Sequence, residues 1–429
     1  MKTILQLGAL AALLAATGCG REHAAAVAPA TGPGLHPWTL PAGPGSAQPD
    51  LVAAPDGRLL LSWLDSVPGR RARLQYAEFG AAGRWLGPKT IGIGNSFVAN
   101  WADTPHLLML PGGALWIQWL QKSGASAEAY DVVLSTSRND GMNWSEPFRP
   151  HGDRTATEHG FAALWAQGDD ALGVAWLDGR AKAGGGSGGA AAQQGAEHAA
   201  HAGATALRWA TIGADARSSG DAEIDGMACD CCQTAAATTS KGPLLVYRDR
   251  SVDGETETRD IAAVRFDGKA WSAPKPVATD GWKMSACPVN GPAVAAQGAN
   301  AVVAWFTAAN DTPTVKLARS GDAGDSFAAP VVVDQGAAVQ GRVAVALDAR
   351  AAWVLWIREE NGAQSLQLAR YAPDLSKPLE KVEVARLQGR GRGTGFPQLA
   401  LRDGNAYVVW TDTAGGATAL HGAMAVPKG

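Results

Sequence analysis

The chain is short of several things, and each shortage narrows what it can be. Its 429 residues have no surplus of positive charge: 37 Lys and Arg stand against 40 Asp and Glu, a formal net charge of −3. No basic stripe interrupts that balance, which excludes the electrostatic footprint of a nucleic-acid binder. Long hydrophobic runs are missing. The apolar stretch at 4–16 is too short to span a bilayer as a permanent helix. Cysteine is scarce, with five in all, and tyrosine equally so, with five.

Glycine, proline and tryptophan are plentiful instead, at 53, 24 and 16. Gly and Pro suit turns between short strands. An aromatic recurs seven times, as Trp63, Trp119, Trp176, Tyr247, Trp305, Trp356 and Trp410. Each ends a short apolar, β-rich run: LLLSW, ALWIQW, LGVAW, LLVY, AVVAW, AWVLW and AYVVW. A period near 50 residues with several short strands per period is the pattern of a β-propeller.

Each unit reads as a first strand, a Gly-containing turn, a second strand ending on the aromatic, a polar loop and a third strand. A fourth strand often follows a W-x-x-P or F-x-x-P step, as at Trp85–Pro88, Trp144–Pro147, Trp271–Pro274 and Phe327–Pro330. The units fall at 46–91, 104–150, 159–224, 229–278, 287–334, 340–385 and 394–427. The last is one strand short. The segment around Trp38, Thr39 and Leu40 is the candidate to complete it and close the ring, which removes exposed sheet edges. The expected fold is all-β, a single propeller over 36–429, with seven blades by this count and six if one unit is irregular.

The insertion at 181–206 is Gly/Ala-rich. Its composition cannot support a packed core and reads as a mobile loop. His198 and His201 within it have metal-like helical spacing, but low-complexity sequence supplies such pairs by chance.

The N-terminus reads as a targeting segment. Lys2 precedes the apolar stretch, which ends at Ala16-Thr17-Gly18-Cys19. Small residues directly before a Cys resemble the bacterial lipoprotein box. That resemblance implies a signal peptide at 1–18, lipidation of Cys19, a flexible tether at 19–35 and a lipid-anchored place in the cell envelope. Gly20 after the Cys, where an Asp is absent, implies the outer membrane.

Two octapeptides sharpen the picture. Ser137-Arg-Asn139-Asp-Gly141-Met-Asn-Trp144 and Ser320-Gly-Asp322-Ala-Gly324-Asp-Ser-Phe327 both fit S-x-[DN]-x-G-x-x-aromatic, each after a third strand. They resemble the Asp-box of sialidase-like, BNR-repeat propellers. The resemblance covers about 37–427 and implies that these residues are structural and lie away from the ligand-binding face. The Cys229–Cys232 (Cys-x-Cys-Cys) and Cys287–Pro292 segments are similar to those of bacterial sialidase-family lipoproteins.

In a propeller, loops entering the first strands and loops leaving the second strands share one face. Sorted by that rule, the face gathers Trp101, Asp103, Glu158, His159, Asp178, Arg180, Arg248, Arg250 and Arg259. A polar funnel with several guanidinium forks suits a carboxylate or other anion. The alternative is that these charges form ordinary ion pairs between blades. If the resemblance extends to chemistry, Arg180, Arg248, Arg250 and Arg259 would hold a carboxylate and Asp103, Asp178 or Glu158 would serve as acid/base, with Trp101 and His159 lining the ligand site. The Arg-Ile-Pro motif of sialidases is missing, and no Tyr/Glu pair is assignable from sequence.

Besides Cys19, four cysteines remain: Cys229, Cys231, Cys232 and Cys287. Outside the cytoplasm an even set reads first as disulfides. Cys232 with Cys287 is the expected cross-blade bridge, leaving Cys229 with Cys231. A Zn or Cu(I) thiolate site and a redox-active dithiol are the alternatives. No cofactor is required by anything else in the chain. Three functions therefore stay open: recognition of a sugar or other anionic ligand by a monomer, with or without glycoside hydrolysis; a non-catalytic scaffold or accessory protein; and metal or thiol chemistry at Cys229–Cys287.

Overall fold

The computed structural model describes residues 34–69, 71–184, 204–253 and 256–428. The expected leader at 1–18, Cys19, nearly all of the tether, and His198 with His201 lie outside the described residues.

Seven antiparallel sheets form a seven-bladed propeller. Blade 1 comprises Ser46–Ala53, Leu59–Val67, Arg71–Phe79 and Lys89–Gly94. Blades 2 to 7 begin at His106–Met109, His159–Gln167, Ala235–Thr239, Ala293–Gln297, Val339–Leu347 and Gln398–Arg402. Seven apolar clusters hold the ring, one at each junction between neighbouring blades. The core is thus distributed around the ring.

The recurring aromatic sits in these junctions, and its burial explains the repeat. Trp176, Tyr247 and Trp356 are fully buried. A buried indole N–H needs an acceptor, and a carboxylate supplies it repeatedly: Trp63 donates to Asp65, Trp176 to Asp178, Trp305 to Asp280 and Trp356 to Asp334, at 2.7–2.9 Å. Tyr247 likewise donates to Asp225.

Ring closure is supplied by the N-terminal segment, three residues earlier than expected. Leu35–Pro37 pairs with Ala417–Ala425 as the outer strand of blade 7. Trp38 then packs against Phe79, Trp85 and Tyr407, sealing blade 7 to blade 1. Blade 2 has only three full strands. Its fourth is reduced to the single bridge Leu134–Phe148, because Pro147 and Pro150 flank Phe148 and bring no amide donors.

The two octapeptides adopt the same turn. Ser137 Oγ accepts from the Gly141 amide and Ser320 Oγ from the Gly324 amide, at 2.9 and 2.7 Å. Asn139 and Asp322 accept from the amides of Asn143 and Ser326. Gly141 and Gly324 take φ of 70° and 89°, which a residue with a Cβ rarely adopts. Each presses on the preceding blade, Gly141 on Tyr76 and Gly324 on Leu244, and neither position has room for a Cβ.

Candidate functional site

The seven innermost strands converge on an axial cavity of about 310 Å³, lined largely by small residues such as Ala162, Ala163, Ala236 and Ala293. One end opens on the loops that enter the first strands. There Trp101, half-buried, lies against Phe396 with ring centroids 5.8 Å apart. The Arg342 guanidinium lies 5.0 Å from the Trp101 ring centroid and that of Arg392 5.7 Å. Arg342 is buried and donates to Thr394 Oγ1 and the Gly395 carbonyl; burial pulls it down to about 10. Arg392 is exposed, on the 3₁₀ turn Gly391–Thr394.

Asp103 follows Trp101. It is 2% exposed, and its Oδ2 accepts the Phe161 amide at 2.6 Å. Its Oδ1 has no hydrogen-bond partner. Burial, with the Glu158 charge, pushes this carboxyl up to about 7, against the Phe161 hydrogen bond and the His106 charge that favour its ionised form. Beside it, at Gly160, the Tyr130 ring approaches closely enough that a Cβ on Gly160 would meet both residues. Tyr130 Oη is 3.4 Å from Glu158 Oε1. Burial, with the Glu158 and Asp103 carboxylates, raises the Tyr130 phenol well above its ordinary value. Lys182 bridges Glu158 and Asp230 at 3.4 and 3.5 Å, which joins this acidic group to the cysteine segment.

The sequence could not pair Tyr130 with Glu158, because 28 residues and a blade boundary separate them. The parallel bridge between the two residues brings them together.

Several expected ligand residues are spent inside the protein, which corrects the picture of an arginine-rich funnel. Arg248 is 1% exposed. It donates to the carbonyls of Asn290, Arg259 and Phe306 at 2.6–3.2 Å, so it rivets blade 4 to blade 5. Arg180 forms a two-point pair with Asp178 and reaches Asp221. Arg250 and Arg259 both hold Glu257.

Asp178 accepts from Trp176 as well as Arg180. The Arg180 bond, the His159 charge and the Trp176 bond outweigh burial and keep its carboxyl below the ordinary range. A carboxylate held ionised near neutral pH is suited to act as a base or nucleophile and not as an acid.

His159 does not face the funnel. Its side chain is fully buried, 2.8 Å from Asp153 and 3.2 Å from Asp131. Burial lowers it, but Asp131, Asp178 and Asp153 raise it further, favouring the imidazolium. His151 stacks on it at 4.3 Å and 11°. Burial and the His159 charge push His151 down to about 4, while the carboxylates around His159 bias that ring toward its imidazolium. One ligand atom from each of Asp131, His151 and His159 lies within 4.8 Å of the others.

The cysteines sit at the junction of blades 4 and 5, as expected, but the bridge differs. Cys231 is bonded to Cys287, with Cα atoms 6.0 Å apart. Cys229 and Cys232 are unbonded, with sulfurs 3.3 Å apart. The reason is a tight turn at 229–232, which brings residues i and i+3 together and turns Cys231 away toward Cys287. The C-x-x-C spacing of Cys229 and Cys232 was the signal that could have shown this. Burial pushes the Cys229 thiol up, but the Cys232 hydrogen bond and the Arg259 and Arg248 charges outweigh it and bring it down. Cys232 is raised by burial and by Cys229. The sulfurs of Cys229, Cys231 and Cys232 lie within 4.8 Å of one another.

No protein-family model matches the chain, and no curated protein matches it. Among solved structures the propeller is similar to the polysaccharide lyase Uly1, with a TM-score of 0.51 and 8% identity over 88% of this chain and 89% of that one. It is also similar to a Dyadobacter fermentans protein of unknown function (TM-score 0.48, 13% identity, 91% and 99% covered). The Trypanosoma rangeli sialidase is more distant, with a TM-score of 0.43, 12% identity, and 92% of this chain against 60% of that one. At these identities the likeness is one of fold.

Proposed function

We propose that this is a lipid-anchored protein of the bacterial cell envelope whose propeller binds an acidic carbohydrate at the funnel mouth. The observation that carries the binding reading is Trp101, half-buried against Phe396 with the exposed Arg392 beside it. An aromatic face takes the apolar face of a sugar ring, and a guanidinium takes a carboxylate or sulfate in two-point fashion. The axial cavity below is concave and mostly apolar, which suits a small-molecule site.

Binding is better supported than hydrolysis. The four arginines expected to hold a substrate carboxylate are engaged by protein groups. A catalytic version would rest on Asp103, which burial holds at about 7, and on Tyr130 with Glu158.

The test uses the full-length chain in detergent, titrated calorimetrically with 3′-sialyllactose and with a uronic-acid oligosaccharide. Saturable binding to at least one, weakened ten-fold or more by Trp101→Ala and by Arg392→Ala, is the expected result. Equal binding by wild type and both variants would remove the funnel mouth as the site, and no binding to any acidic sugar would favour the scaffold reading. Release of a fluorogenic aglycone from a sialoside, abolished by Tyr130→Phe, would convert the binder into a hydrolase. Radiolabelled palmitate incorporated by wild type but not by Cys19→Ala would establish the anchor; equal labelling would reject it.

A further inference from the structure

Cys229 and Cys232 are 1% exposed, unbonded, and 3.3 Å apart at sulfur. A free thiol pair at that distance, inside a protein read as exported, calls for a reason. Three features surround it. Cys229 Sγ lies 3.8 Å from Cys231 Sγ, itself half of the Cys231–Cys287 disulfide. Arg259 is 3% exposed overall and pairs with the Cys229 sulfur, while its Nη1 also stands 4.0 Å from Asp230 Oδ1. Arg248 adds a second buried guanidinium on the same side. Two fixed cations favour a thiolate nucleophile and disfavour a divalent metal in the same space. Toward the solvent, Cys287 is half-buried and its sulfur lies 3.6 Å from Asp230.

We propose that Cys229 and Cys232 are a buried dithiol in exchange with the Cys231–Cys287 disulfide, so that the site passes one electron pair to an external disulfide at Cys287. Cys229 thiolate attacks Cys231 Sγ. The Cys229–Cys231 bond forms, the Cys231–Cys287 bond breaks, and Cys287 leaves as a thiolate. Cys232 then loses its proton and attacks Cys229 Sγ, closing Cys229–Cys232 and releasing Cys231. The proton given up by Cys232 ends on the Cys231/Cys287 pair through solvent.

Up to this point no electrons have entered or left; the dithiol has moved from the interior to the rim. Cys231 and Cys287 then reduce a disulfide of an envelope protein or small molecule, re-forming their own bond and releasing two thiols. Exchange of this kind requires in-reach sulfurs, which Cys229, Cys231 and Cys232 supply at 3.3 and 3.8 Å, and a thiolate, which the Arg259 and Arg248 guanidiniums favour at Cys229. The four cysteines are not among the residues of the Trp101–Arg392 mouth, and the two experiments read different groups, so either proposal can fail without the other.

The experiment is disulfide mapping on the full-length chain in detergent. The protein is equilibrated in glutathione buffers of stepped ratio, acid-quenched, alkylated, digested and read by mass spectrometry. Wild type is expected to show Cys231–Cys287 and Cys229–Cys232 as interconverting isomers at intermediate ratios and both bonds at the oxidised end. Cys232→Ser is expected to accumulate Cys229–Cys231 with Cys287 alkylated, a linkage that a merely structural pair would not produce. The proposal is overturned if Cys229 and Cys232 stay alkylatable at every ratio while Cys231–Cys287 opens alone. Stoichiometric zinc or copper retained by the reduced wild-type chain, with exchange blocked until it is chelated, overturns it in favour of a metal site. The wild-type protein, by its disulfide map and its metal content, distinguishes these outcomes, so a variant that misfolds does not spoil the test.

Discussion

Arg248 lays its guanidinium 4.9 Å over the ring of Trp282 and spends its donors on three backbone carbonyls. A residue that looks from the sequence like a ligand-binding cation is thereby a rivet between blades. Arg248→Met should leave those carbonyls buried and unpaired and cost about 3 kcal/mol or more. Urea unfolding monitored by tryptophan fluorescence checks it. Unchanged stability with selective loss of sugar binding would return Arg248 to the ligand site.

Asp103 should make stability fall as pH rises. Its folded-state value, about 7, lies above the ordinary 3.8, so the folded protein holds a proton the unfolded chain has lost. Stability is fully present below about pH 4 and declines toward pH 7 by up to about 1.4 kcal/mol per pH unit. Asp103→Asn keeps an oxygen for the Phe161 amide and cannot ionise, so it should flatten that part of the profile. Denaturation midpoints at stepped pH between 5 and 8 decide the matter; parallel curves for the two proteins would rule the assignment out.

His151 acts in the opposite sense. Its folded value, about 4, lies below the ordinary 6.5, so its contribution is present above about pH 6.5 and lost as pH falls toward 4. Both ring nitrogens lack hydrogen-bond partners, so a phenyl ring sacrifices none there. His151→Phe should fold as well as wild type at pH 7 and resist acid better. A variant that unfolds at higher pH than wild type would contradict this.

Gly141 stands where a Cβ would overlap the Tyr76 hydroxyl, at a φ of 70°. Gly141→Ala should therefore destabilise by about 2–4 kcal/mol, from backbone strain and overpacking together. Tyr76→Phe removes the clashing oxygen, and the double variant should recover part of the loss in a double-mutant cycle. Strict additivity would locate the cost in the backbone alone.

The ring itself was legible because its markers are local. An aromatic that must be buried at each blade junction recurs in the chain as regularly as the blades recur in space. The paired octapeptides were equally readable, since Ser137 to Asn143 and Ser320 to Ser326 satisfy their own amides within a few residues. The site was only half legible. Trp101, Asp103 and Glu158 lie on segments entering first strands, as sorted, but the sequence did not show that Arg180 reaches Asp221, 41 residues on, or that Tyr130 meets Glu158, 28 residues on. The Cys229–Cys232 pairing lay in the i, i+3 spacing of a turn, a local signal outweighed by the expectation that Cys232 would bridge to Cys287.

By itself the sequence determined the all-β class and the order of the repeated units, because strand alternation and buried aromatics are properties of short segments; the closed ring settled seven blades against six. Only the tertiary structure decided which charges are spent and which remain. A guanidinium or a thiol is free or engaged according to what stands within about 3–4 Å of it, and for Arg180, Arg248 and Cys231 a decisive neighbour is 41 to 56 residues away.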